Sequence, residues 1–555
     1  MKKGFEYLFC IAALFLGACA NIVTPSGGQK DITPPIVLKT TPYNFSKNFA
    51  GNSIKIGFNE YVKLTDMANQ VMVSPFMKEM PEIKIKGKSI VVNFSDTLKP
   101  DNTYSISFGK SISDITENNV LRGYRYFFST GNTIDSLYLK GIVRNAFTLK
   151  PENSVLVMLY NNLEDSVPYK EKPFYIAKTD DTGAFYFSNL KKGRYKIFSL
   201  KDANNNFIYD QPSEKIAFID SLITPIPIDT AKADSLKKQT IYCLNLFEEA
   251  PSKQKLLKSY SEKYGKLVLI FRKPVENLIL EPLNKNMPSS WNIKEENKTK
   301  DSITIWLKNP EIDTLFLKVT DNNEILDTSK ITLIKKSIVT KTGKGRGEDL
   351  RYISFILNAS KNSTFGFYKP LLIDCLSPIS DYSFNKIILT ENKDTIKPIF
   401  FFTDSIHRVI RSDYKWKENA NYSLFIPPVA LKNMFGIAND TLKVDFKTNS
   451  LKDYGNLKLK IIAKELNCNL IVQLLTENNA VVNQKIIISN DKGKVQFDYI
   501  LPGNYKLKVI CDENKNNIWD TGNYLKKFVP EKVFYNTSII NVKANWDLDF
   551  DWVLE

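Results

Sequence analysis

Alternating apolar and polar residues fill most of this chain. Ser53–Phe58 and Tyr104–Phe108 place apolar side chains at every second position, which is typical of a strand with one buried face, and Lys266–Ile270 is continuously apolar after its lysine. Clusters of Gly, Asn, Asp and Pro separate these runs at short intervals, and long amphipathic helical patterns are lacking. The pattern predicts an all-β chain built from tandem sandwich-type modules.

An internal repeat at an offset of 318 residues divides the chain further. The segment around Tyr104 matches the segment around Tyr422, and Phe128-Ser129-Thr130-Gly131 matches Phe446-Lys447-Thr448-Asn449. Each copy closes a module whose last strand ends in a Phe-x-Thr turn. Repetition of this kind indicates two related structural units.

A second repeat has an offset of 310 residues and no gaps. Its matching pairs are Asp181–Phe187 with Asp491–Phe497, Gly193–Tyr195 with Gly503–Tyr505, and Asp202–Asp210 with Asp512–Asp520. Turn glycines and apolar residues two positions apart explain this pattern. The predicted order is therefore module one, module two, a middle region, and then modules one and two again.

The amino terminus has the pattern of a secretory signal. Met1-Lys2-Lys3 precedes an apolar run from Tyr7 to Leu16, and small residues precede Cys19. The run has about ten residues, whereas a bilayer span needs roughly twenty. Leu16-Gly17-Ala18-Cys19 resembles a bacterial lipoprotein signal, which implies a mature chain that begins at Cys19 with lipid on its sulfur and amine. The alternative is an ordinary cleaved signal followed by a chance cysteine.

These observations predict seven segments. They are a lipoprotein signal peptide (1–18), a flexible tether (19–35), a first β module (36–132), a second β module (133–250), a middle β module (253–340), and second copies of the first (350–450) and the second (453–555) β module. Lys341–Glu348 resembles an exposed linker, and its glycines do not match a phosphate-binding loop.

Short motifs give the first module a family resemblance. They are Gly27-Gly28-Gln29-Lys30-Asp31, Pro34-Pro35, Phe58-Asn59-Glu60 and Phe128-Ser129-Thr130-Gly131. Residues 27–131 resemble the S-layer type of bacterial Ig-like domain found in Bacteroidetes outer-membrane lipoproteins, and 350–450 does so more faintly. Residues 135–247 and 455–555 resemble the prealbumin-like domains of adhesins and carboxypeptidase regulatory regions. The resemblance implies an Ig-like domain at 36–132 with a second Ig-like module at 350–450, and a prealbumin-like β-sandwich at 133–250 with a second one at 453–555. It also implies a lipid-anchored β-rod at the outer membrane, on its periplasmic or its surface face, and implies no catalytic residue.

The charge balance restricts the class of partner. The 555 residues include 76 Lys and Arg against 60 Asp and Glu, a net charge of +16. A basic surface favours anionic partners such as lipid phosphate or acidic glycan, and the alternative is positive charge spread evenly over the chain. Dense Arg/Lys stripes interleaved with aromatic residues are not found, so we expect no nucleic-acid partner.

The cysteine and histidine residues give little indication of a metal site or a catalytic site. Cys243, Cys375, Cys468 and Cys511 are widely spaced and do not have zinc-site spacing. Cys468 and Cys511 could meet within one module, and buried free thiols are the alternative. His407 is the only histidine, which excludes metallohydrolase sites with several histidines, and a Ser-His-Asp triad would have to use it. We therefore expect a non-enzymatic protein without a catalytic residue and without a firmly bound cofactor.

Two related loops carry the pattern of a calcium site. Oxygen side chains occupy relative positions 1, 3, 5 and 9 of each loop, which suits Ca²⁺. The candidate ligands are Asp202, Asn204, Asn206 and Asp210 in the first loop, and Asp512, Asn514, Asn516 and Asp520 in the second. The bidentate Glu and the central Gly of an EF-hand are absent from both loops, so only weak, structural binding is predicted. The alternative is a pair of Asx-turns that cap backbone N–H groups.

An Asp-Ser/Thr-aliphatic tripeptide occurs eleven times, for example at Asp96-Thr97-Leu98 and Asp404-Ser405-Ile406. It resembles the O-glycosylation site of exported Bacteroidetes proteins. The alternative is turn chemistry just before a strand.

Three functions are consistent with this sequence. The first is a lipid-anchored, non-enzymatic scaffold or accessory subunit of an outer-membrane protein assembly, which predicts apolar patches on several modules. The second is a glycan-binding surface lipoprotein beside a nutrient importer, which predicts exposed aromatic residues clustered on one module. The third is a hydrolase, which predicts a deep pocket with paired carboxylates.

Overall fold

The computed structural model describes residues 30–227, 241–336, 351–463, 467–488 and 493–554. The predicted signal peptide, Cys19 and the linker 341–348 lie outside these residues. The chain divides into two compact units, Met1–Glu248 and Glu249–Glu555, which are described separately. Among the described residues, no helix is both long and apolar enough to cross a membrane.

The first module of the first unit is an antiparallel sandwich. Its elements are β1 Val37–Thr41, β2 Ser53–Phe58, β3 Val62–Leu64, α1 Met67–Gln70, β4 Met72–Ser74, β5 Glu82–Lys86, β6 Ser89–Asn93, β7 Thr103–Ser107, β8 Ile112–Asp114, β9 Val120–Leu121 and β10 Arg125–Ser129. The strand orders are β1-β2-β6-β5, β10-β7-β4 and β3-β8-β9. Ile54, Ile56 and Ile90 of one sheet and Ile106 and Phe128 of another are fully buried in a common core.

The second module contains one continuous sheet of eight strands. Its elements are β11 Leu137–Asn145, β12 Leu156–Tyr160, α2 Val167–Lys170, β13 Tyr175–Lys178, β14 Ala184–Leu190, β15 Lys196–Lys201, β16 Lys215–Phe218, β17 Ile226–Pro227 and β18 Tyr242–Glu248. The order is β13-β12-β15-β16-β18-β11-β14, with β17 paired to β11. β11 and β18 pair in parallel, and side chains from both halves of the sheet, such as Val157 and Leu244, share one core.

The second unit begins with the middle module. Its strands are β19 Leu256–Lys263, β20 Lys266–Phe271, β21 Leu278–Pro282, β22 Asn292–Glu296, β23 Ser302–Leu307, β24 Thr314–Asp321 and β25 Glu324–Thr332. They form two antiparallel sheets, β19-β20-β23-β22 and β21-β24-β25. Leu269 and Ile305 of the first sheet and Leu317 of the second are fully buried between them.

The next module carries the second copy of the Tyr104 repeat. Its elements are β26 Phe355–Leu357, β27 Ser363–Phe365, β28 Leu372–Cys375, β29 Ile379–Tyr382, a 3₁₀ helix Phe384–Lys386, β30 Ile388–Glu391, β31 Asp394–Ile396, β32 Ile399–Phe402, β33 Val409–Asp413, β34 Asn421–Ile426, β35 Leu431–Asn433 and β36 Leu442–Thr448. Its sheets are β26-β28-β33-β32, β27-β36-β34-β30-β31 and β29-β35, around a core that includes Trp416 and Leu424.

The last module carries the second copy of the other repeat. Its elements are a 3₁₀ helix Leu451–Asp453, β37 Gly455–Ala463, β38 Asn469–Thr476, β39 Val481–Ile487, β40 Lys494–Ile500, β41 Gly503–Asp512, β42 Val533–Tyr535, β43 Ile540–Val542 and β44 Asp547–Leu554. The orders are β40-β37-β44 and β39-β38-β41-β42, with β43 paired to β41. β37 and β44 pair in parallel, as β11 and β18 do in the earlier copy. The all-β prediction with tandem sandwich modules is confirmed.

Matching hydrogen bonds explain the first repeat. The Tyr104 hydroxyl accepts the Lys99 N–H at 2.8 Å, and the Tyr422 hydroxyl accepts the Lys417 N–H at 2.9 Å. The hydroxyl of the closing threonine, Thr130 or Thr448, donates to the carbonyl of the same lysine, at 2.7 and 2.6 Å. In both modules, hydrogen bonds to this lysine therefore link the Phe-x-Thr turn to the loop that precedes the tyrosine.

Candidate functional site

The loop from Asp202 to Asp210 folds around its own side chains. Asp202 accepts the backbone N–H of Asn205 at 2.7 Å and of Phe207 at 2.8 Å. Asn206 Oδ1 accepts the N–H of Ile208 at 2.8 Å. These are Asx-type turns, in which a side-chain oxygen replaces a backbone acceptor.

Three of the four predicted ligands of this loop, Asn204, Asn206 and Asp210, are joined by side-chain hydrogen bonds. The amide Nδ2 atoms of Asn204 and Asn206 donate to the Asp210 carboxylate at 3.2 and 2.8 Å. Calcium would require both amides to rotate so that Oδ1 faces the ion, and the present amide hydrogen bonds would be lost. The bonds seen here are those of the Asx-turn alternative, and calcium binding stays a prediction.

The second loop repeats this geometry. Asp512 accepts the N–H of Asn517 at 2.8 Å, and the amides of Asn514 and Asn516 both donate to Asp520 at 2.6 Å. The repeat therefore preserves a hydrogen-bonded loop as well as a sequence. Among the described residues, no group of three or more His, Cys, Asp or Glu side chains could hold a metal ion.

A buried glutamate supports each loop, and the sequence analysis missed both. Glu214 has no exposed surface and accepts the N–H groups of Ala203 and Asp210, each at 3.1 Å. Glu531 accepts the N–H groups of Glu513 and Asp520 at 2.8 and 3.0 Å, and burial raises the pKa of its carboxyl. Each glutamate closes its loop onto the sheet by satisfying N–H groups near both ends.

Nine of the eleven Asp-Ser/Thr tripeptides lie among the described residues. Several directly precede a strand, as Asp301 precedes β23 and Asp313 precedes β24. Asp404 Oδ1 accepts the N–H of Ile406, two residues on, at 3.1 Å, as the turn alternative predicts. The hydroxyl-bearing residue is exposed at Thr97, Ser136, Ser221, Thr395, Ser405 and Thr441. Glycosylation of these side chains stays a prediction, and Asp229-Thr230-Ala231 and Asp234-Ser235-Leu236 lie outside the described residues.

His407 is part of a turn packed on an aromatic ring. Its imidazole stacks on Phe402 with 4.3 Å between ring centroids. The Asp404 carboxylate accepts the backbone N–H groups of Ile406 and Arg408 at 3.1 and 2.8 Å. Asp404 therefore stabilises the turn that carries the histidine, which is a structural role.

Cys468 and Cys511 form a disulfide, with their Cα atoms 5.5 Å apart. The bond joins the residue before β38 to β41, so it links neighbouring strands of one sheet. Cys375 is a buried free thiol, and burial raises its pKa to about 12. Of the two alternatives for Cys468 and Cys511, the structure contains the disulfide.

The edge strand β39 of the last module has exposed apolar side chains toward both ends, on either side of Asn483, Gln484 and Lys485. It pairs with β38 and lies at the edge of its sheet. Val481, Val482, Ile486 and Ile488 are exposed, by 54%, 49%, 41% and 57%. Natural proteins usually protect such an edge with charge, proline or a covering segment.

The corresponding edge of the second module is covered. β13 occupies the same place in its sheet as β39, next to β12. The N–H of Ile176 in β13 donates to Ser74 Oγ of the first module at 3.0 Å, and the N–H of Phe76 donates to the Phe174 carbonyl at 2.8 Å. Two copies of one module thus differ in whether this edge has a partner within the described chain.

A hairpin beside the second Asp/Asn loop adds exposed apolar side chains. Asn523 and Phe528 exchange backbone hydrogen bonds at 2.8 and 2.9 Å. Leu525, Phe528 and Val529 are all more than 60% exposed. In the second module only Gln211, Pro212 and Ser213 separate the loop from its supporting glutamate, so this hairpin belongs to the later copy alone.

Comparison with known proteins supports the resemblance of the first module. Residues 31–130 match the model of the bacterial Ig-like domain family. No curated protein sequence matches the chain. The family match covers about a fifth of the chain and confirms the Ig-like prediction for that part.

Several solved structures are similar to longer parts of the chain. The S-layer protein rSbsC is 11% identical, over 91% of this chain and 67% of that one, with a TM-score of 0.14. The major pilin subunit BcpA of Bacillus cereus is 8% identical, over 76% and 99%, with a TM-score of 0.14. Native α2-macroglobulin of Escherichia coli is 12% identical, over 46% and 94%, with a TM-score of 0.19. Scores this low carry no functional conclusion for this chain.

Proposed function

We propose that this chain is a lipid-anchored, non-enzymatic scaffold or accessory subunit of an outer-membrane protein assembly. The observation that carries the proposal is the uncovered apolar edge β39 together with the apolar hairpin tip at Leu525 and Phe528. An exposed strand edge offers unpaired N–H and C=O groups to a strand of another protein, and apolar side chains around it add buried area on binding.

Two further features support an envelope location. The Leu16-Gly17-Ala18-Cys19 segment resembles a lipoprotein signal, and two or more acyl chains hold a protein stably at a bilayer. The Cys468–Cys511 disulfide is typical of proteins that fold in an oxidising compartment. Which face of the outer membrane the protein occupies does not enter the proposal.

The proposal is tested by affinity purification of the full chain from native membranes after mild cross-linking. We expect an outer-membrane barrel protein to be recovered reproducibly with the wild type. The double substitution Val482→Lys and Ile486→Lys places charge on the apolar edge and should abolish that recovery. Ile279→Lys with Ile325→Lys, at exposed positions of the middle module, is the matched control and should retain it. Recovery of the chain alone, or equal recovery with both double variants, would contradict the proposal.

Glycan binding beside a nutrient importer is the second candidate, and one aromatic cluster favours it. Tyr382 is 45% exposed, and its ring lies 4.6 Å from Phe384 and 5.1 Å from Phe402. The glycan-binding hypothesis predicts several exposed aromatic residues on one module, and this cluster supplies one exposed ring, Tyr382, beside two partly buried rings. Retention of the wild type on a polysaccharide column, lost with Tyr382→Ala, would favour this candidate over scaffolding.

A further inference from the structure

A cavity of about 420 Å³ lies inside the first unit, between its two modules. One wall is formed by β4, β7 and β10 of the first module, and the other by β13 and β14 of the second. Small-molecule sites in proteins typically have volumes of roughly 300–1,000 Å³ and often lie between domains. The cavity therefore has the size and the position of a ligand site.

Direct contacts hold the two walls together. The backbone bond between Phe76 and Phe174 and the bond from Ile176 to Ser74 join them on one side. The Lys178 ammonium of β13 donates to the Asn69 carbonyl of the first module at 2.9 Å. Because these contacts fix the modules against each other, the cavity is formed before any ligand arrives, which lowers the entropic cost of binding.

The lining carries more positive than negative charge. Four cationic and two acidic residues line it, namely Lys110, Arg122, Arg125, Lys178, Asp180 and Asp181. Asp181 pairs with Lys110 at 2.9 Å. Asp180 accepts the N–H groups of Thr182 and Ala184 at 2.8 and 3.0 Å. Both carboxylates thus have partners within the protein, and four cationic against two acidic residues leave the lining with a net formal charge of +2.

Arg125 is the central cation of this lining. Its guanidinium lies over the Tyr186 ring at 5.7 Å and donates to the Tyr186 carbonyl at 3.5 Å. Within the described residues it forms no ion pair with a carboxylate, and burial lowers its pKa. Arg125 is half-buried, and a cation that has lost part of its hydration is less stable when no counter-charge replaces it. An oxyanion in the cavity would supply that charge, and the planar fork of arginine suits carboxylate, phosphate and sulfate.

Small hydroxyl side chains complete the lining. Ser107 is the cross-strand partner of Arg125, and Ser105 lies two residues before it on β7. Ser188 contributes a hydroxyl from the opposite wall. A serine hydroxyl both donates and accepts, so this surface suits a ligand that carries several hydroxyl groups.

We propose that this cavity binds a small molecule that carries an oxyanion, with Arg125 as its principal contact and the serines as partners for the rest of the molecule. A simple inorganic anion and an acidic saccharide both meet this description. The site goes beyond the proposed scaffold role and does not depend on it, since it uses residues of the first unit and neither β39 nor the lipid anchor.

The test is isothermal titration calorimetry on the full chain in non-ionic detergent, at constant ionic strength. The probes are inorganic phosphate, sulfate, glucuronate and, as the neutral comparison, glucose. Arg125→Gln removes the cation, and Ser107→Leu fills the cavity while keeping the charge. Arg194→Gln removes an exposed arginine elsewhere in the second module and is the matched control. Hydrogen exchange of β7 and β14 verifies that each variant is folded.

We expect saturable binding of at least one oxyanion to the wild type and to Arg194→Gln. We expect affinity at least tenfold weaker for Arg125→Gln and for Ser107→Leu. Glucuronate binding tighter than phosphate and sulfate would identify an acidic saccharide, and the reverse order would identify a simple anion. Absence of binding by all oxyanions at millimolar concentration, glucose binding as tightly as glucuronate, or unchanged affinity in folded Arg125→Gln would overturn the proposal.

Discussion

At the scale of single residues, one glycine of the second repeat is required for two separate reasons. Gly183 has φ +75° and Gly493 has φ +67°, a region that L side chains rarely adopt. A Cβ atom would also lie 2.5 Å from the Val143 carbonyl oxygen at Gly183, and 2.2 Å from the Ile461 carbonyl oxygen at Gly493. The backbone itself therefore occupies the space that a side chain would need.

Gly87 separates these two causes, because it has φ +60° and open space around its Cα. We expect Gly87→Ala to cost about 1–2 kcal/mol, the cost of the left-handed conformation alone. Gly183→Ala should cost about 3 kcal/mol or more, because the carbonyl contact is added. Urea unfolding followed by pulsed hydrogen exchange measures each module separately. Equal costs for the two substitutions would show that the close approach is unimportant.

Glu391 makes the module of the Tyr422 repeat sensitive to acid. Lys417 and the hydroxyl of Tyr414 donate to this carboxylate, as does the hydroxyl of Tyr422 at 2.8 Å. These bonds hold the pKa of Glu391 below its ordinary value of 4.5. A carboxyl with a lowered pKa in the folded state stabilises that state above its unfolded pKa, and the stabilisation is lost as the pH falls through the folded pKa.

We therefore expect Glu391→Gln to destabilise this module at pH 7 and to have a shrinking effect as the pH falls below about 4.5, the ordinary glutamate range. Urea titrations are made at several pH values, and each is followed by hydrogen-exchange labelling at one common pH. They give the difference in unfolding free energy between variant and wild type for the strands β30 and β34. A difference that stays constant down to pH 3 would show that the carboxylate charge has no part in stability.

At the scale of elements, the disulfide distinguishes the two related modules. Cys468 and Cys511 are 43 residues apart, and closing a loop of that length stabilises a fold by about 4 kcal/mol in the chain-entropy model. Cys468→Ala with Cys511→Ala should lower the stability of the last module by about this amount. The second module has no disulfide among its described residues and is the internal control. A reductant that left the last module as stable as before would contradict this expectation.

The paired Asp/Asn loops allow a direct test of the calcium prediction. Asp202→Ala removes the acceptor of the Asn205 and Phe207 N–H groups, so we expect faster hydrogen exchange in that loop and little change in the loop at Asp512. Under the calcium prediction, equilibrium dialysis with millimolar calcium gives two weakly bound ions per wild-type chain and one per variant chain, whereas the Asx-turn alternative gives none. If the wild type takes up no calcium, the calcium prediction is wrong and the loops are Asx-turns only.

Strands, repeats and loop clusters could be read from the sequence because local patterns determine them. The alternation in Ser53–Phe58 corresponds to β2. The side chains of Asn204 and Asn206 both bind the Asp210 carboxylate, as the regular spacing of polar residues in this loop suggests. The supporting glutamates could not be found this way. Glu214 follows Asp210 by four residues, whereas an inserted hairpin separates Glu531 from Asp520, so the gap-free repeat does not align them.

Contacts between residues far apart in the sequence could not be predicted for the same reason. Whether Cys468 reaches Cys511 depends on the register of β38 against β41, and the cavity at Arg125 depends on how two modules pack. Neither is encoded in a local pattern. Asp180 and Asp181 have no distinctive pattern in the sequence, and only the folded first unit shows that they line the same cavity as Arg125 and which partners they have.

At the scale of the whole molecule, the repeated modules have kept their internal hydrogen bonds and changed their surfaces. The earlier copy of the second repeat has a covered edge and a short connection to Glu214, whereas the later copy has the open edge β39 and the hairpin at Phe528. Such divergence is expected when one copy packs within its own chain and the other meets a partner. The scaffold proposal follows from this difference, and it requires the chain to be held at a membrane.

The central claim is tested most directly by mass spectrometry of the amino-terminal peptide, on protein purified from its native outer-membrane fraction. The account predicts a first residue of Cys19, with acyl chains on its sulfur and its amine. A native chain that retains residues 1–18, or that carries an unmodified thiol at Cys19, would contradict it.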